Sequence, residues 1–249
     1  MDSRRRSLLA AVAALLGAGR RAEGAVVQDA HAAARAALVR EVEAGIRDTS
    51  GQTGVAQLSP AVRDALGRVP RHRFVPDSVV DAAYADRPLP IGLGQTISQP
   101  YIVALMTELA GPRPDARVLE VGTGSGYQAA ILAGCVAKVY TIEIVAPLGE
   151  RARALLAELG YRNVDVRIGD GYKGWPEAAP FDAIVVTAAP DHVPQPLVDQ
   201  LKPGSRMVIP VGRERGIQQL LVITKDRDGR ATTRRTIPVR FVPLTRDAR

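Results

Sequence analysis

Cysteine is nearly missing from this sequence: Cys135 stands alone, so no disulfide can form within the chain. It lies in the apolar run Ile131-Leu132-Ala133-Gly134-Cys135-Val136 and reads as a small core residue. Histidine is scarce too. His31, His72 and His192 are scattered, without the spacing of a metal site, so no metal is expected. Aromatic residues make up only 4% of the chain, and none interleave with a run of Lys and Arg, so no base-stacking platform for nucleic acid is visible. The apolar run Ala10 to Gly19 is too short to span a bilayer, and no longer one follows it, so no stable membrane span is expected. Acidic residues are the minority, 26 against 33 Lys and Arg, for a net charge of +7. A basic balance favours acidic partners such as nucleic acid. Many of the arginines crowd the two ends, however (Arg4, Arg5, Arg6, Arg234, Arg235, Arg240, Arg246, Arg249), which suits a solvated surface and a basic leader. With 249 residues, 46% of them hydrophobic, the chain can bury a full core in one α/β domain with a small extension.

What is present centres on Arg117-Val-Leu-Glu-Val-Gly-Thr-Gly-Ser-Gly126, an apolar strand running into a glycine-rich turn. Without Cβ atoms, such a turn lets backbone N–H groups approach a ligand. Glu143 follows at the end of the next strand, at the distance where a carboxylate accepts both hydroxyls of a ribose. The glycines Gly122, Gly124 and Gly126 are spaced G-x-G-x-G, and position 127 is Tyr127, so the dinucleotide fingerprint G-x-G-x-x-G is not met. The stretch resembles motif I of the S-adenosylmethionine (SAM) methyltransferases, where the turn faces the amino-acid part of SAM.

Helical periodicity predicts a helix over His31 to Ile46 and, with Ser59 as N-cap and Pro60 at its first position, another to about Val69. Gly51 to Gly54 reads as a loop, Phe74 to Pro76 as extended or turn, Ser78 to Ala83 as a short helix, and Ile91 to Gln99 as an irregular glycine-containing loop. Ser98 is placed to cap a helix running to Ala110. From Arg117 the pattern alternates. Strands are expected at 117–121, 138–143, 164–168, 183–186, 206–211, 218–224 and 233–242, with helices at 127–133, 146–159 and 196–201. Continuous apolar strands separated by helices mean a parallel sheet covered on both faces, and the last strands, with no helices between them, suggest an antiparallel edge.

Leu89-Pro-Ile-Gly-Leu-Gly-Gln-Thr-Ile-Ser-Gln-Pro100 resembles the segment before motif I in the protein-L-isoaspartate O-methyltransferases. Gly169-Asp-Gly171, Phe181 to Pro190, Leu201-Lys-Pro-Gly204 and Phe241-Val-Pro-Leu-Thr245 match as well, so the likeness spans roughly Ser59 to Thr245. It implies a doubly wound, Rossmann-like SAM methyltransferase fold with a modified strand order near the C-terminus. It also implies repair chemistry: a methyl group passes from SAM to the α-carboxyl of L-isoaspartyl residues in damaged proteins, and the ester collapses to a succinimide that can reopen as aspartate. By position, Ser98 matches the active-site serine, and Gln95, Thr96 and Ile97 share its loop. Gly122, Gly124, Gly126 and Glu143 match cofactor-binding positions, Asp170 and Gly171 the pair beside the adenine, and Thr245 the segment that closes the site. A carboxylate is ionised at neutral pH and needs no strong base, so Ser98 is expected to orient the acceptor by hydrogen bonding. The implied partners are isoaspartyl proteins and peptides, with no nucleic acid, and the implied state is a monomer.

Trp175 reads as a packing residue, His192 as a loop residue near a strand exit, and Asp170 between two glycines also fits an Asx turn. The likeness does not reach residues 1–24, where Arg4 to Arg6, an apolar stretch and Ala22-Glu-Gly24 look like a twin-arginine export signal; 25–58 reads as a helical extension and linker, and 59–249 as the methyltransferase domain. Export would place the enzyme in a periplasm, away from the cytoplasmic supply of SAM. Without export it is cytoplasmic. Three other functions stay open on sequence: a SAM methyltransferase of RNA or a small molecule, a nicotinamide oxidoreductase, and a non-catalytic SAM- or protein-binding module. Thr187-Ala-Ala-Pro190 lacks the acceptor for an exocyclic amine, and the glycine spacing disfavours nicotinamide.

Overall fold

A computed structural model describes residues 31–214 and 216–246; the export-like segment lies outside them. Helix α1 (31–48) buries Leu38, Val42 and Ile46, one residue per turn, in the same core as the domain that follows. Residues 51–54 do not form a loop. The helical path resumes as α2 (Ser50–Thr53), where the Thr53 hydroxyl donates back to Thr49 O, and it stops at Gly54 with φ 74°. In α3 (Pro60–Arg68), Ser59 is the N-cap and accepts from Val62 N, with Pro60 in the first turn. Two 3-10 turns follow, Arg71–Phe74 and Asp77–Ala82.

Where the glycines suggest an irregular loop, the chain forms an antiparallel hairpin, β1 (Leu89–Gly92) and β2 (Gln95–Ile97), with Leu89 opposite Ile97. Leu89, Ile91 and Ile97 point into the core. Pro90 and the glycines hide this alternation in the sequence. The reversal is tight because Gly92, Leu93 and Gly94 all take positive φ. Helix α4 (Pro100–Ala110) is buried over most of its length.

Then come β3 (Arg117–Val121), α5 (Tyr127–Ala133), β4 (Lys138–Glu143), α6 (Ala146–Glu158), β5 (Val164–Ile168), β6 (Phe181–Val186), α7 (Gln195–Asp199), β7 (Leu201–Val211), β8 (Gln218–Lys225) and β9 (Ala231–Val239). The later boundaries differ from the expected ones. Strand β7 starts at Leu201, before Pro203-Gly204, because its pairing with β6 skips from Leu201 to Arg206 and absorbs that dipeptide in a bulge. Strand β9 stops at Val239, and residues 240–245 leave the sheet.

The strand order is β5-β4-β3-β6-β7-β8-β9. The first five strands are parallel and β8 and β9 antiparallel. The chain moves outward from β3 to β5 and then returns to lay β6 on the other side of β3. Its connections therefore diverge at the carboxyl ends of β3 and β6, where open α/β sheets form their ligand crevice. Alternate residues of the central strands enter two separate cores: Val118, Ala183 and Val185 in one, and Leu119, Val121, Ile184 and Val186 in the other. With both faces dry, these central strands are apolar except at Arg117, Glu120 and Asp182.

Candidate active site

Strand β3 ends at the crevice in the glycine turn. Gly122 has φ 103°, and a Cβ there would stand 2.5 Å from Thr187 Oγ1. That hydroxyl donates to Gly122 O (2.6 Å) and Val121 O (3.0 Å), fastening the turn to the end of β6. Gly122 N and Thr123 N both donate to Ile142 O, fastening it to β4. Glu143, at the end of β4, is 6% exposed. Its carboxylate accepts from Gly124 N at 2.7 Å and Val145 N at 2.9 Å, so its orientation is set by the same turn.

One cavity gathers Gln95, Thr96, Ile97 and Ser98 of the hairpin segment with Gly122, Gly124, Glu143, Gly171 and Thr245. Gly171 sits so near β3 that a Cβ would come within 2.4 Å of Val121 Cγ1. Two residues assigned by likeness do not line this cavity. Gly126 faces α6, where a Cβ would meet Leu156 at 3.2 Å and Ala152 at 3.4 Å, so it sets helix packing. Asp170 accepts from Tyr172 N at 2.9 Å and caps the short turn Gly171–Lys173, an Asx-type bond.

Sequence reasoning passed over Glu120. It is fully buried in β3, lines the cavity, and accepts from Thr141 Oγ1 at 2.5 Å through Oε2. Its Oε1 has no partner among the described residues. Burial pushes its carboxyl up to about 8; the Thr141 bond opposes this shift and the neighbouring Glu143 adds to it. The available signal was an acid inside an otherwise apolar strand.

Ser98 is not the cap of α4. Gln99 holds the N-cap position, and Asp86, from before the hairpin, does the capping: Tyr101 N donates to its Oδ1 at 2.7 Å and Gln99 Nε2 to its Oδ2 at 2.8 Å. No hydrogen bond among the described residues engages the Ser98 hydroxyl. Ser98 lines a second cavity as well, together with Thr96, Thr187 and Val242; Ile102, Ile217, Val239 and Phe241 supply its apolar wall and Arg240 a cation. The segment after β9 is pinned across the crevice by Phe241 N to Gln218 Oε1 (2.8 Å), Ala189 N to Val242 O (2.8 Å) and Leu244 N to Ala189 O (2.9 Å).

The remaining singled-out residues lie elsewhere. Trp175 packs edge-on against Tyr140. His192 is exposed and bonded to Asp191. Cys135 is buried, and burial raises its thiol to about 11. Among the described residues no His, Cys, Asp or Glu cluster could hold a metal, and no helix is long and apolar enough to cross a membrane.

The family model for protein-L-isoaspartate(D-aspartate) O-methyltransferase matches residues 46–249. Protein-L-isoaspartate O-methyltransferase 2 of Syntrophobacter fumaroxidans is 58% identical over 226 residues, which cover 90% of this chain and 92% of that one. A solved protein-L-isoaspartate O-methyltransferase superposes with a TM-score of 0.74 at 29% identity, over 85% of this chain and 66% of that one. A β-aspartate methyltransferase from Plasmodium falciparum, solved with S-adenosyl-L-homocysteine, superposes with a TM-score of 0.69 at 26% identity, over 87% and 99%. With a doubly wound sheet, a glycine turn backed by Glu143, and sequence identity extending over nearly the whole length, this chain belongs to the protein-L-isoaspartate (D-aspartate) O-methyltransferase family.

Proposed function

We infer that this chain transfers a methyl group from SAM to the α-carboxyl of L-isoaspartyl residues in damaged proteins and peptides. The observation that carries the reading is Ser98 at the junction of two cavities, one ending at Glu143 and the glycine turn, the other an apolar groove open to a peptide. The donor cavity fits SAM chemically. Glu143 offers a carboxylate to a ribose diol, Gly171 lets its segment pack directly on the end of β3 at the cavity wall, and the unpartnered Oε1 of Glu120 suits a cationic head group. When bound, SAM supplies an electrophilic methyl on a sulfonium. Ser98 donates a hydrogen bond to one oxygen of the acceptor carboxylate and aims the other along the line of displacement. The acceptor is already an anion at neutral pH, so the site needs no general base; its task is to orient the reactants and keep water out. The hairpin on one side and residues 241–245 on the other perform that exclusion.

The finer role assignments are part of the same proposal: Ser98 as acceptor-orienting, Gln95 to Ile97 and Thr245 as walls, Glu143 as ribose acceptor. So are a monomeric enzyme without a nucleic-acid partner and a domain beginning near Ser59 behind a helical extension. The leader-like residues 1–24 are proposed as an export signal. Fractionation of cells expressing the full chain, with and without Arg4 and Arg5 changed to Lys, tests this. Methyl transfer to matched isoaspartyl and aspartyl peptides tests the activity.

A further inference from the structure

Arg71 opens the 3-10 turn after Pro70 and is 0% exposed, although its neighbour Arg73 is exposed. Its Nη2 donates to Ser98 O at 2.8 Å and to Arg87 O at 3.4 Å. Its Cζ lies 4.7 Å from the centre of the Tyr127 ring. Tyr127 begins α5 directly after the glycine turn and lines the donor cavity. One side chain therefore ties the residue at the cavity junction to the end of the cofactor turn. Arg71 Nε and Nη1 have no hydrogen-bond partner, and no ion pair engages Arg71, among the described residues. Asp86 attracts the guanidinium electrostatically without a direct bond, its two oxygens accepting from Gln99 and Tyr101. A guanidinium stays charged even when buried, so a cation without a direct ion pair is fixed behind Ser98.

We propose that Arg71 is a positioning residue for methyl transfer: it fixes Ser98 through the Ser98 carbonyl and leaves a positive charge behind the place where the acceptor carboxylate is received. The role rests on the carboxyl-methylation reading. A plain space-filling residue here would be apolar, because an unpaired buried charge is costly. The charge favours the anionic acceptor at a distance, and the bond to Ser98 O holds the hydroxyl in register with the donor.

The test measures kcat and KM for an isoaspartyl peptide with Arg71→Lys and Arg71→Met. Rates are expressed per site that binds S-adenosyl-L-homocysteine, so that unfolded protein is not counted. Arg71→Met is expected to lose about tenfold to a hundredfold in kcat/KM per site, chiefly through KM, the scale of one charge-assisted hydrogen bond. Arg71→Lys keeps the charge but not the planar fork and is expected to lose about threefold to tenfold. Affinity for S-adenosyl-L-homocysteine stays within about threefold in both, because the glycine turn keeps its own bonds to Ile142 and Thr187 and loses only the stacking of Arg71 on Tyr127. A merely structural Arg71 would lower the melting temperature and the number of binding sites yet leave kcat/KM per site at the wild-type value, and that result overturns the proposal. Should Arg71→Met yield no binding-competent protein, Arg71→Lys decides on the same readout. Wild-type protein that binds S-adenosyl-L-homocysteine but transfers no methyl to the isoaspartyl peptide would instead sink the carboxyl-methylation reading itself, whatever the variants do.

Discussion

Ser98 makes no hydrogen bond through its hydroxyl among the described residues, so removing that hydroxyl isolates the acceptor contact proposed for it. Ser98→Ala is expected to lower kcat/KM by about tenfold to a hundredfold while S-adenosyl-L-homocysteine affinity stays within about threefold; a large loss of affinity in calorimetry would contradict an acceptor-side role. Glu143→Ala should do the reverse and weaken SAM binding by about tenfold or more. Unchanged affinity would remove Glu143 from the ribose position. Glu120 gives a pH signature. Its folded carboxyl titrates at about 8, above its ordinary 4.5, so its stabilising share in the free protein is fullest below 4.5 and is lost as pH rises towards 8. A bound cation favours the carboxylate, so binding expels a proton. SAM affinity should rise between about pH 5.5 and 7, where an α-amino group stays protonated, by at most about tenfold per pH unit. Glu120→Gln should flatten that profile, and a flat wild-type profile would contradict the assignment. At this scale the sequence was only partly legible. Glu143 is marked by its spacing from the glycine turn, and Ser98 by the likeness of its segment to the family's. Glu120 is marked only as an acid inside an otherwise apolar strand, a signal with no role attached to it, and Arg71 sits in Arg-His-Arg, where nothing local separates the buried cation from its solvated neighbour.

The elements carrying the site follow local rules as far as those rules reach. Strands β3, β4 and β5 and helix α5 have the bounds that periodicity assigns: β3 and most of β4 are buried, and the partly exposed edge strand β5 keeps its apolar alternation. The hairpin was hidden because Pro90 and two glycines break the alternation, and pairing of β1 with β2 supplies what local pattern does not. The cap of α4 was hidden for a different reason: Asp86 is remote in sequence from Tyr101 N, and a cap supplied across a hairpin leaves no spacing to read. Asp86→Ala should therefore cost about 1 kcal/mol of stability by denaturant unfolding, and it should raise the peptide KM because the start of α4 adjoins Ser98. Asp86→Asn keeps an acceptor and should recover most of the stability. If Asp86→Ala left both quantities at wild type, the remote cap would have no energetic role.

On the scale of the whole molecule, function follows from topology. The chain reverses its winding at β3 and β6, opens a crevice at their carboxyl ends, and closes it from two sides with the hairpin and with residues 241–245. The closing segment returns to the crevice because β8 and β9 run antiparallel, bringing Phe241 to Gln218 and Leu244 to Ala189. The result is two cavities, proposed to hold donor and acceptor, that share Thr96, Ser98, Thr187 and Val242. The measurement that tests this arrangement most directly is transfer of labelled methyl from SAM to two peptides identical except for an isoaspartyl or a normal aspartyl linkage. The account predicts base-labile label on the isoaspartyl peptide alone. Equal label on both peptides, or none on either while SAM still binds, would contradict it.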